Sequence, residues 1–112
     1  MNKPTRYYSK KQETKVAKSL GLKAQPNSGA TAFAKGDLKD ENLLVECKTL
    51  TRKQKQRTIE KEWLTKLQEE QLAMNKTLSA LVFDFGDGDN FVILSEQDFK
   101  NIYAGWKEIN QC

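Results

Sequence analysis

The sequence predicts an α/β fold: a mixed central β-sheet flanked by helices, with elements in the order helix, hairpin, helix, hairpin, helix. Three observations predict it. Two segments, 37–48 and 78–94, each read as a strand, a polar turn and a second strand. Apolar residues recur at helical spacing before, between and after those segments. The stretch between the two inner strands is long enough for the right-handed crossover that joins parallel neighbours. At 112 residues, the chain fits a single domain, 1–112, with a two-layer core.

The first helix follows Ser9, an N-cap with Gln12 at the capping-box position, and stops at Gly21. Val16, Ala17 and Leu20 form its apolar stripe, and Glu13 lies on that stripe. A carboxylate facing the rest of the fold needs a partner, because burying it unpaired is costly. The plainer reading is that Glu13 sits at the wet end of the stripe and pairs with a lysine. Residues 23–36, rich in Gly, Ser and Asn, read as a loop with a short strand near 31–34.

In the first hairpin, a two-residue turn at Glu41-Asn42 pairs Asp40 with Leu43 and sets Asp37 opposite Glu46. Cross-strand partners share a face. Alternation then puts Leu44, Glu46 and Lys48 on that face, and Leu43, Val45 and Cys47 on the other. Residues 57–76 read as one long helix, its apolar side made by Ile59, Trp63, Leu64, Leu67, Leu72 and Met74. A strand at 78–85, a Gly-Asp turn and a strand at 91–94 form the second hairpin. Ser95 caps the last helix, with Asp98 at the box position, and Phe99, Ile102, Tyr103 and Trp106 form the stripe expected to be buried.

Composition removes several chemistries. The chain has no histidine, which excludes Ser-His and Cys-His nucleophile pairs and histidine-based metal sites. Its two cysteines, Cys47 and Cys112, are far apart and fit no zinc spacing. A reducing, cytoplasmic setting is the expectation, with no secretory signal and no membrane-spanning run. The net charge of +4 is unevenly distributed: residues 1–35 carry +7 and residues 36–112 carry −3. A further basic cluster, Lys48, Arg52, Lys53, Lys55 and Arg57, contains no acid. Basic stretches attract polyanions, of which nucleic acid is the commonest, although solvated loops have the same composition.

The chemistry sits between the basic segments. Carboxylates a few ångströms apart repel unless a cation lies between them. Mg²⁺ takes oxygen ligands and keeps several waters, so two carboxylates suffice to hold it. A water made more acidic by the metal can attack a phosphodiester. A lysine two residues along the same strand face can orient that water or offset charge on the phosphate. Glu46-Cys47-Lys48 has that spacing, with Asp37 opposite.

Asp37, eight intervening residues and Glu46-Cys47-Lys48 resemble the PD-(D/E)xK nuclease superfamily, with Gly36 where the motif name has Pro. The resemblance covers roughly residues 9–94 and implies a restriction-endonuclease-like core, with the last helix as an addition. Within that superfamily the chain is most similar to the small Holliday junction resolvases of archaea and phages. The resemblance implies Mg²⁺ or Mn²⁺ held by Glu13, Asp37, Glu46 and the backbone carbonyl of Cys47, with Lys48 catalytic. It implies that Ser28 and Gly29 touch the scissile phosphate, and that two copies work as a homodimer. Lys10, Lys11, Lys35, Arg52, Lys53, Lys55 and Arg57 are the expected phosphate contacts. The length favours reading DNA by shape, at junctions, over long sequence readout. A nicking, flap or restriction-like nuclease and a non-catalytic nucleic-acid-binding module are the competing readings. Asp84, Asp87 and Asp89 lack EF-hand spacing and read as a polar turn.

Overall fold

An apolar pair of parallel strands forms the centre of the computed structural model, which describes residues 5–24 and 37–111, with the backbone alone for Lys23, Ala24 and Asp37. The elements are α1 (Thr5–Leu20), β1 (Lys23–Ala24), β2 (Asp37–Lys39), β3 (Leu43–Lys48), α2 (Lys61–Ala73), β4 (Leu78–Phe83), β5 (Phe91–Ile93) and α3 (Glu96–Asn110). The strands lie in sequence order in one five-stranded sheet. β3 and β4 run parallel, and every other neighbouring pair is antiparallel. The predicted mixed α/β architecture is therefore observed. Helix α2 is the crossover between the parallel strands, as their orientation requires.

β4 reads LSALVF and is buried from Ser79 to Val82, the near-continuous apolar run expected of a strand covered on both faces. Helix α1 covers one face, where Val16, Ala17 and Leu22 pack on Leu38, Val45 and Val82. Helix α2 covers the other, where Leu67 packs on Leu44 and Leu81, bordered by Trp63, Leu64, Met74, Phe83 and Ile93. The first hairpin has the expected register: Asp37 pairs with Glu46, Leu38 with Val45 and Lys39 with Leu44.

The hairpin turn is held by a side chain. Asp40 Oδ1 accepts from the backbone N–H groups of Asn42 and Leu43, both at 2.8 Å. Among the described residues Asn75 is the only non-glycine with positive φ, so Glu41 and Asn42 do not adopt the mirror-image turn typical of two-residue loops. The Asp40 carboxylate makes up the difference.

Helix ends follow the sequence in part. Gly21, at φ 71°, ends α1, and the N–H of Leu22 donates to the carbonyl of Ala17 at 2.8 Å. Asn75, at φ 55°, plays the same part after α2. Ser95 Oγ accepts from the N–H of Asp98 at 3.1 Å at the start of α3.

Five expectations are corrected. Helix α1 begins at Thr5, so Ser9 lies inside it, where serine costs little among good helix formers. Leu20 is exposed, because the chain turns away at Gly21. Residues 57–60 are not helical, since tertiary hydrogen bonds from Gln54 and Arg57 hold the chain ahead of α2. Leu72 is exposed, five residues beyond Leu67 and off the buried stripe. Helix α3 buries none of its residues. The strand expected near 31–34 lies outside the described residues. Among the described residues no helix is long and apolar enough to cross a membrane.

Candidate functional site

The last residues of β3 carry the charges singled out in the sequence. Glu46 and Lys48 are two apart on one strand and share the face that α2 covers. The Lys48 ammonium lies 3.6 Å from Glu46 Oε1. It also sits 4.8 Å from the centre of the Trp63 ring, at the start of α2, in a cation–π contact. Both charged side chains keep contact with solvent, at 32% exposure for Lys48 and 21% for Glu46, so the pair is open to a ligand. Between them, the Cys47 side chain joins the cluster under α1.

Asp37, the first residue of β2, pairs with Glu46. The register therefore sets Asp37 on the face of Glu46 and Lys48, at the point where the described pairing ends. Glu13 comes from α1, which covers the opposite face. Even so, burial and then the charge of Glu46 push its carboxyl above the usual carboxylate range, against the opposing effect of Lys10. The two carboxylates thus repel across the end of the strand. A divalent cation placed between two such carboxylates would relieve that repulsion. Among the described residues no three Asp, Glu, Cys or His side chains gather as a metal-holding group.

A clamp that the sequence reading missed fixes the end of β3. Gln12 is buried on α1, and its Nε2 donates to the carbonyl of Lys48 at 3.0 Å and to Asn90 Oδ1 at 3.2 Å. Arg57 Nη1 donates to the same Lys48 carbonyl at 3.2 Å and to the Asp84 carbonyl at 2.7 Å. One carbonyl is therefore held from α1 and from the irregular segment ahead of α2. The signal for Gln12 was present: it stands four residues before Val16 on the buried side of α1, a stronger reason for its position than a capping box.

The Gly-Asp turn is tied to the same place. Asp84 is buried, with Thr49 Oγ1 at 2.8 and 2.9 Å from its two oxygens, and it accepts from the N–H of Gly86 at 3.1 Å. Gly86 is required there. It has φ 82°, and a Cβ would stand 2.0 Å from the Arg52 carbonyl oxygen. The N–H of Gln54 donates to the Phe85 carbonyl at 2.8 Å, and Lys15 reaches the Gly88 carbonyl. Asp84 thus organises residues 49–57, the role of a structural turn acid.

The expected phosphate contacts separate into two groups. Lys10, Lys11, Arg52, Lys53 and Lys55 are exposed. Arg57 is half-buried, and its guanidinium is committed to two carbonyls and to the Trp63 and Phe83 rings, at 5.7 and 5.9 Å. Burial lowers its pKa and the Asp84 charge raises it. Ser28, Gly29 and Lys35 lie outside the described residues.

No known protein family, curated protein or solved structure matches this chain. The functional reading rests on the arrangement at the end of β3.

Proposed function

We propose that the chain is a metal-dependent DNA endonuclease of PD-(D/E)xK type, with a restriction-endonuclease-like core and selectivity for branched DNA such as four-way junctions. One observation carries the reading. Glu46 and Lys48 stand as a half-open ion pair at a strand end, with Asp37 opposite and Glu13 close enough to feel the Glu46 charge. Glu13, Asp37, Glu46 and the Cys47 carbonyl would hold Mg²⁺ or Mn²⁺. Such an ion supplies Lewis acidity, acidifying a water and offsetting charge on a phosphate oxygen.

The chain's own residues do the rest. Glu46 keeps Lys48 directed along the strand end, and Trp63 supports the ammonium from the α2 side. Lys48 orients the attacking water and stabilises negative charge that grows on the phosphate. Gln12 and Arg57 fix the backbone from which Lys48 projects. Exposed Lys10, Lys11, Arg52, Lys53 and Lys55 bind the duplex backbone, with affinity that falls as salt rises. A cytoplasmic location belongs to the same reading.

The test is a cleavage panel of four-way junction, flap, nicked, linear and single-stranded DNA with Mg²⁺ or Mn²⁺. Junction cleavage is expected, and Glu46→Ala and Lys48→Ala each lower it by at least about 10²-fold while DNA binding persists. Full activity in Glu46→Ala would refute the site. DNA binding indifferent to Mg²⁺, without cleavage or a metal-induced rise in melting temperature, would point to a binding module instead.

A further inference from the structure

An aromatic row leads from Lys48 to the edge of the sheet. Lys48 pairs with Phe83 and Phe83 with Phe91, so the three residues lie side by side across β3, β4 and β5. Residues paired in this way share a face. The Phe83 and Phe91 rings lie 5.8 Å apart at 30°, and Phe85 meets both edge-on, at 5.7 and 6.0 Å. Cations cover the inner end: Arg57 stands 5.9 Å from the Phe83 ring and 5.7 Å from Trp63, and Lys48 stands 4.8 Å from Trp63. The outer end is open. Ile93, on the same face of β5, packs into the core under α2, whereas Phe91 is 52% exposed.

We propose that this row is a stacking platform for an unpaired base, and that an unpaired nucleotide near the strand's reacting phosphate is what the chain selects in branched DNA. The proposal rests on the nucleic-acid binding proposed above, though not on catalysis. Every base has a π-face, so an aromatic side chain with a cation beside it holds an unpaired base of any sequence. A fully paired duplex keeps its bases inside the stack, and an already unpaired base costs least to draw out. Two strand spacings, about 10 Å, separate Lys48 from Phe91. A base on Phe91 therefore lies within about three nucleotides of a phosphate held at Lys48, at ~3.4 Å per step.

Charge favours the same occupant. Residues 52–54 run against the turn that carries Phe85: the N–H of Gln54 donates to the Phe85 carbonyl at 2.8 Å, and the Arg52 backbone abuts Gly86. Residues 49–60 carry Arg52, Lys53, Lys55 and Arg57 against one acid, Glu60. The other nearby acids are engaged or drawn to the far face. Glu46 is paired with Lys48, and Asp84 is buried against Thr49. Asp87 and Asp89 flank Gly88, which Lys15 of α1 holds, and Asn90 is bonded to Gln12 of the same helix. An apolar protein segment would leave the cations without partners. A base on its phosphate chain uses the rings and the cations together.

Fluorescence anisotropy tests the proposal with labelled DNA of one length: a linear duplex, the same duplex with a run of unpaired thymines, and a four-way junction with and without an unpaired thymine at its crossover. The series is run in EDTA and, in a Glu46→Ala background, in Mg²⁺, so that no strand is cut. DNA with unpaired thymines should bind about tenfold more tightly than its paired counterpart, the scale of one base–aromatic contact. Phe91→Ala should lose that preference while its affinity for linear duplex changes by less than about twofold, and Phe91→Trp should keep it. Lys53→Ala should weaken every DNA alike. Unchanged binding of all four DNAs by Phe91→Ala would overturn the proposal and leave the row to a protein contact, even if the chain cuts DNA. Equal losses on paired and unpaired DNA would also overturn it, because they report a structural role. Lost preference in Phe91→Ala beside a wild-type chain that cuts nothing would sustain the platform and sink only the nuclease. Absence of DNA binding in every arm would overturn both.

Discussion

The end of β3 and helix α3 depart from the ordinary rule of burial in opposite ways. At the strand end, charged groups are drawn inward: Asp84 is buried, and Glu13 and Glu46 repel one another. Along α3, large apolar side chains are left outside. The two regions are also held differently. The strand end is fixed by side chains from α1, from residues 49–57 and from the Gly-Asp turn. Helix α3 buries none of its residues. Departures of this kind are expected where a fold serves a ligand, and their signs tell the ligands apart. Inward charge with like-charge strain suits a small cation, and outward apolar surface suits another protein.

At the charged end, the largest expected effect tests its scaffolding. Gly86→Ala forces a positive φ on a residue with a Cβ and drives that Cβ against the Arg52 backbone. A loss of about 2–4 kcal/mol in chemical denaturation is expected, with residues 49–57 the first to lose amide protection. Wild-type stability in Gly86→Ala would show that the turn and the basic segment are not locked together.

The opposite end of β3 supplies a control. The exposed Asp40 carboxylate accepts from two backbone N–H groups, and these bonds hold its pKa below the ordinary carboxylate value. Its contribution is therefore present at neutral pH and disappears as pH falls through that depressed pKa. Asp40→Ala should lower the melting temperature by a few degrees at pH 7, and the gap to wild type should close in acid. An unchanged gap at low pH would mean that the turn depends on something else.

The first hairpin was legible because a two-residue turn at Glu41-Asn42 leaves one register for β2 and β3, the one that sets Leu38 against Val45. Asp37 opposite Glu46 followed from that register. What the sequence could not reveal is tertiary. Gln12 and Arg57 meet at one carbonyl from 36 and 9 residues away, and no local pattern encodes such a meeting. For α3 the periodicity was legible and its destination was not, since a stripe for a core and a stripe for a partner have the same spacing.

Glu13 sharpens the comparison through its sign. Burial and Glu46 raise its folded pKa, so the contribution of Glu13 is complete below the unfolded carboxylate pKa and is lost as pH rises through the raised value. Without metal, the ionised residue is a liability at pH 7. Glu13→Gln should therefore raise the melting temperature of the metal-free protein slightly at neutral pH and leave it unchanged in acid. If Glu13 is a ligand of the proposed metal, the rise in melting temperature on adding Mg²⁺ should be smaller for the variant, which lacks that carboxylate. Destabilisation by Glu13→Gln in the absence of metal would indicate that the carboxylate is satisfied by the protein alone.

The smallest expected effect is close to zero, and it bears on α3. A side chain that covers no core leaves no cavity when it is cut back, so Trp106→Ser should change stability by no more than about 0.5 kcal/mol. Leu81→Ala, fully buried between the layers, should cost about 2–5 kcal/mol under the same conditions. If Trp106→Ser instead costs as much as Leu81→Ala in chemical denaturation, α3 packs on its own chain and its apolar side is not free.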